Sequence, residues 1–150
     1  MLENARWKAS SAAALVRPGT LVIAGDTEVV LDGRALGQPA DENEARSHLE
    51  ALSGREHQVL GGLALLGPES EDERPRARQG VAETTVRFRE LDPPLLETYL
   101  ASGEWKGRAG AYAIQGLGSA LIDSVSGDLS NVIGLPISLL FELEPAFQRG

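Results

Sequence analysis

The chain has 150 residues and no cysteine, so neither a disulfide framework nor a Cys-ligated zinc or iron–sulfur site is open to it, and a cytoplasmic address is expected. Its 14 lysines and arginines face 22 aspartates and glutamates, a formal net charge of −8 that argues against nucleic-acid polymer as a partner, although a small phosphorylated ligand needs only a local cluster of cations. The longest apolar runs, Leu21–Ala24 and Ile137–Phe141, fall far short of the ~20 residues that cross a bilayer, so no membrane partner is expected.

In chain order, alanine-rich Leu2–Leu15 places Leu2, Ala5, Ala9, Ala12 and Ala13 on one stripe and predicts a helix, broken at Arg17-Pro18-Gly19. Leu21–Ala24 reads as a buried strand with Asp26 at its carboxyl end. Val29–Leu31 then runs into Asp32-Gly33, a type I′ turn pair that predicts a hairpin to Arg34–Leu36. Asp41 with Glu44 three residues later resembles a capping box, opening a helix through Ala45, Leu49 and Leu52 that Gly54 stops. His57–Leu66 predicts a strand, the Pro-interrupted Gly67–Gly80 a surface loop, and alternating Thr84–Arg89 a half-buried strand. Asp92-Pro93 supplies an N-cap and a first-turn proline to a helix that ends before Gly103. Ser119–Val125 reads as a strand and Pro136 as the start of a short terminal helix, completing one α/β domain over residues 1–150.

Chemistry concentrates on few residues. Asp26 followed by Thr27 offers a metal ligand or water base beside a hydroxyl, where open α/β sheets bind ligands, although a carboxylate after a strand is commonly a plain turn residue. The run Arg108–Gly118 holds three glycines in eleven residues, which suggests a backbone that approaches something closely. A Walker-type loop and a Gly-x-Ser-x-Gly elbow are absent. The two histidines, His48 and His57, fall on different elements, read as an exposed helix residue and a strand-start residue, and assign no zinc.

Four segments together resemble the Maf family in order and spacing: Gly25-Asp26-Thr27 through Leu36-Gly37-Gln38-Pro39; Leu52–Val59; Ala109–Gly116; and Gly127-Asp128 through Asn131–Pro136. The resemblance implies a Maf/ITPase-like α/β fold, a mixed twisted sheet flanked by helices, in a cytoplasmic protein that forms homodimers. It implies a nucleoside triphosphate pyrophosphatase that cuts between the α- and β-phosphates with Mg²⁺ or Mn²⁺, in a family first linked to septum formation. The Ala-Tyr-Ala-Ile-Gln stretch resembles the subgroup that prefers dTTP and UTP. Carried over position by position, Asp26 is the catalytic and metal-binding carboxylate, and Lys8, Thr27, Gln38 and Gln115 bind substrate. Three departures accompany the match. The chain starts inside the helix that carries Lys8, so the family's opening strand and Ser-x-Ser-Pro-Arg-Arg phosphate loop are expected to be absent; Gln38 replaces a lysine; and Gly61 replaces a threonine. Weakened turnover is the expectation, and the alternative is a non-catalytic relative that keeps the fold with nucleotide binding or a dimer contact.

Overall fold

Two alanines four residues apart set the position of the first helix in the computed structural model, which describes residues 1–17, 19–69 and 75–148. Helix α1, Leu2–Ala13, turns the fully buried Ala5 and Ala9 onto Val22 and Ala64, and the lack of bulk lets the helix lie close to the sheet. It stops short of Leu15, which is exposed and has no apolar surface to join.

Strand β1, Val22–Leu31, is continuous through Gly25-Asp26-Thr27, so Asp26 lies mid-strand and not at a carboxyl end. The polar stretch stays in the ladder because it pairs with Leu63-Gly62-Gly61 of β3, Asp26 opposite Gly62 and Thr27 opposite Gly61. Asp32 and Gly33 take positive φ, 50° and 76°, as a type I′ hairpin requires, and return the chain as β2, Arg34–Leu36. Helix α2, Glu42–Leu52, is capped by the Asp41 carboxylate, which accepts from the Glu44 amide at 2.9 Å, while the Glu44 carboxylate accepts from the Ala40 amide.

The predicted loop Gly67–Gly80 is largely strand. β3, Glu56–Glu69, and β4, Pro75–Phe88, keep pairing beyond the apolar run, with Leu65 opposite Arg78, Leu66 opposite Ala77 and Glu69 opposite Pro75; residues 70–74 lie outside the described part. The polar residues are accommodated because Arg78 forms an ion pair with Glu144 and donates to the Leu143 carbonyl. Helix α3, Pro93–Ser102, begins under the Asp92 cap and ends at left-handed Gly103, φ 71°. The predicted strand Ser119–Val125 divides into a 3-10 turn, Gly116–Leu121, and β5, Ile122–Ser126, because the Ser119 hydroxyl closes back on the Gly116 carbonyl and Leu121 turns into the core. Two short helices follow, α4 Leu129–Ile133, which the sequence reading missed, and α5 Ile137–Leu143 after Pro136.

The sheet has the order β2-β1-β3-β4-β5. The α/β architecture is the expected one; within it every ladder among the described residues is antiparallel where a mixed sheet was expected, since β1–β2 is a hairpin and the connections through α2 and α3 return β3 and β5 antiparallel to β1 and β4. The main core gathers Val29, Val59, Val86 and Phe88 of the sheet with Leu49 and Leu52 of α2 and Leu96, Tyr99 and Leu100 of α3. Alternation along β3 sends Val59, Gly61, Leu63 and Leu65 to one face and Gly62, Ala64 and Leu66 to the other, so α5 and α1 pack on opposite faces. No helix among the described residues is long and apolar enough to cross a membrane.

Candidate active site

β2 pairs with β1 only at Val29–Leu31, so on that side Val22–Glu28 has no strand neighbour among the described residues. A cleft runs along this bare edge. Asp26 faces the α1 side with Ala24, while Thr27 shares the opposite face with Val29. A cleft at a strand edge draws on both faces, and this one is lined by Lys8, Asp26, Thr27, Gln38 and Gln115 together.

Helix α1 delivers two donors to Asp26. Lys8 Nζ donates to Asp26 Oδ1 at 2.6 Å, and Asn4 Nδ2, one turn earlier, donates to Oδ2 at 3.0 Å. Lys8 also reaches the Gly25 carbonyl at 3.4 Å. Partial burial pushes the Asp26 carboxyl up, but the hydrogen bonds from Lys8 and Asn4 and the Lys8 charge outweigh it, and the group is held below the ordinary carboxylate range. Asp26 is therefore a carboxylate throughout neutral pH. The sequence reading missed Asn4, although its i,i+4 spacing to Lys8 was visible.

The opposite wall is the glycine-rich run. What its backbone approaches is the protein itself. Gly110, in a 3-10 turn over Ala109–Ala111 with φ 65°, leaves no room for a Cβ, which would sit 2.9 Å from Val29 Cγ1. A Cβ on Gly118 would lie 1.9 Å from the Ala113 carbonyl oxygen. The Gly110 amide donates to the Gly37 carbonyl at 3.1 Å, tying this wall to the loop that carries Gln38. Beyond Gln115, the Glu104 carboxylate accepts from the Leu117 and Gly118 amides, both at 3.1 Å. Beneath, Tyr112 is buried with its hydroxyl 2.7 Å from His57 Nε2, and the two rings pack edge-on against each other and Phe88. His57 is thus a core residue below the wall, and His48 is half-buried on α2; neither lines the cleft. Glu104 and Arg108, a further lining residue, were not singled out from sequence, because nothing local distinguishes them from surface charges.

Among the described residues there is no cluster of three or more His, Asp or Glu side chains able to hold a metal. A Mg²⁺-like ion does not need one, since it is commonly held by one or two carboxylates together with substrate phosphates. Asp26 fits that arrangement, its two oxygens keeping lone pairs beyond those used by Lys8 and Asn4.

Comparison with known proteins places the chain in a family. The sequence model of the family described as Maf-like protein matches residues 1–145. A dTTP/UTP pyrophosphatase of Pyrococcus horikoshii is 44% identical over 142 residues, 95% of this chain and 73% of that protein. A dTTP/UTP pyrophosphatase of Pyrococcus abyssi is 44% identical over 126 residues, 84% of this chain and 64% of that protein, and one of Caldanaerobacter subterraneus subsp. tengcongensis is 43% identical over 145 residues, 95% and 67% respectively. The chain thus spans about two thirds to three quarters of the length of these relatives. With a match that runs from α1 through the cleft to the last turns of the fold, the chain belongs to the Maf-like protein family.

Proposed function

We propose that this chain hydrolyses a dTTP- or UTP-type nucleoside triphosphate to the monophosphate and pyrophosphate. The observation that carries the reading is the ionised Asp26 carboxylate, oriented by Lys8 and Asn4 in a cleft it shares with Thr27 and Gln115. The names of the relatives support the pyrimidine substrate. Gln115 both donates and accepts, which suits a base edge, and Thr27 offers its hydroxyl to a phosphate oxygen.

In the proposed reaction a water oxygen forms a bond to the α-phosphorus. The bond from that phosphorus to the oxygen bridging the α- and β-phosphates breaks, and its electron pair leaves with pyrophosphate. The water proton passes to the Asp26 carboxylate and then to solvent. Because its pKa is held low, Asp26 is a weak base, and aligning the water is as much its task as taking the proton. A divalent cation, Mg²⁺ or Mn²⁺, held by Asp26 and the phosphates would supply positive charge against the leaving group.

The test is pyrophosphate release from dTTP and UTP, with GTP for comparison, for the native chain and for Asp26→Asn. The substitution is expected to cost about 10²–10⁴-fold in rate while leaving the far-ultraviolet circular dichroism unchanged. An Asp26→Asn rate equal to the native one removes Asp26 from the mechanism. A native chain that releases no pyrophosphate from either pyrimidine nucleotide leaves instead a non-catalytic relative with the same fold. We infer in addition a cytoplasmic setting, where such nucleotides are held, and a homodimer, supported by the apolar side chains that α4, α5 and the final 3-10 turn, Pro145–Gln148, expose.

A further inference from the structure

A triphosphate brings about four negative charges, yet the cleft is lined by only two cations among the described residues, Lys8 and Arg108. Lys8 is already opposed by Asp26 at 2.6 Å. Position 38, where the family resemblance calls for a lysine, holds the neutral Gln38.

Of the two cations, Arg108 is the one that no carboxylate among the described residues pairs with. Its head is exposed but its backbone is held. The Arg108 amide donates to the Trp105 carbonyl at 3.2 Å, and its carbonyl accepts from the Ala111 amide at 3.0 Å. Trp105 is itself buried, with Nε1 donating to the Leu100 carbonyl. Two residues on, Gly110 is bonded to Gly37, which brings the Arg108 turn against the loop of Gln38. An arginine on a fixed base with an exposed fork is suited to donate to phosphate oxygens in pairs.

We propose that Arg108 is the residue that grips the polyphosphate chain of the substrate, supplying from the glycine-rich wall the charge that Gln38 does not. This assignment rests on the nucleotide-hydrolysis reading above. Its role is in binding, so it acts on KM more than on kcat.

The probe is inorganic tripolyphosphate, titrated calorimetrically into the native chain, Arg108→Gln, Arg108→Lys and the surface control Arg87→Gln. Arg108→Gln should weaken binding at least about tenfold, the scale of one lost charge-assisted contact, with an unchanged thermal midpoint. Arg108→Lys should recover part of the loss, and Arg87→Gln should bind within about twofold of the native chain, the scale of an exposed pair. The proposal is overturned if Arg108→Gln binds as tightly as the native chain, if Arg87→Gln weakens binding equally, or if the native chain does not bind the probe. Pyrophosphate release from UTP separates the two readings. Arg108-dependent binding without turnover keeps this assignment and removes the catalytic one, and turnover with an unchanged KM in Arg108→Gln does the reverse.

Discussion

Burial of His57 gives one residue control over how stability varies with pH. The side chain is 1% exposed, and burial pushes its pKa down from 6.5 to about 4. Between those values the unfolded chain binds a proton that the folded chain does not, so stability is full above about 6.5 and falls as the pH drops towards 4. The loss is about 3 kcal/mol, from the size of the shift. Urea unfolding at pH 7.5, 5.5 and 4.5 should show that fall in the native chain and a shallower one in His57→Phe, which cannot titrate. An identical slope in the two proteins would mean that carboxylates alone set it. Residue-scale packing is also tight at Gly61, one of the departures from the family pattern. A Cβ there would lie 1.9 Å from Asn131 Oδ1. Asn131 fills the space a larger side chain would need, and its Nδ2 donates to the Val59 carbonyl and the Thr84 hydroxyl.

At the scale of elements, the segment that carries Gln115 has no regular ladder to hold it. It depends on the turn over Gly116–Leu121 and on Glu104, reaching from just beyond the end of α3. Each charge-assisted hydrogen bond contributes about 1.5–3 kcal/mol, and glutamine has one carbonyl oxygen where glutamate has two acceptors. Glu104→Gln should therefore release one of the two amides, with the Leu117 or Gly118 N–H losing at least about tenfold of its hydrogen-exchange protection. KM for UTP should rise with it, because Gln115 sits next to the loosened turn. Unchanged protection at both amides would remove Glu104 from any positioning role. Helices α2 and α3 contrast with this segment, since Asp41 and Asp92 cap them from within their own first turns.

For the molecule as a whole, the proposed homodimer places a demand on one region of the surface. Leu129 and Ile133 of α4, Ile137 and Phe141 of α5, and Phe147 of the final 3-10 turn are all exposed, and α5 packs against both of the other elements. Scattered apolar residues need no explanation, but a shared patch marks an interaction surface. Light scattering at tens of micromolar chain should give twice the monomer mass for the native protein, and Phe141→Glu should return it to the monomer. A monomeric native protein sinks the inference. The same division of scales separates what was legible beforehand. The capped helices and the Asp32-Gly33 hairpin were readable from residue types and order, because caps and turns are made by hydrogen bonds among neighbours; Asp26 and Thr27 stood out by their place after an apolar run, whereas Lys8, Gln38 and Gln115 were named only through the family resemblance. Tertiary structure alone decided that Asp26 lies mid-strand, that Asn4 shares it with Lys8, that the glycines make way for Val29 and Ala113, and that Asn131 reaches Val59 across 72 residues of chain. Those contacts follow from the register of the whole sheet and the angle at which helices settle on it, and no local pattern encodes either, since each depends on side chains distant in sequence that must be buried at once.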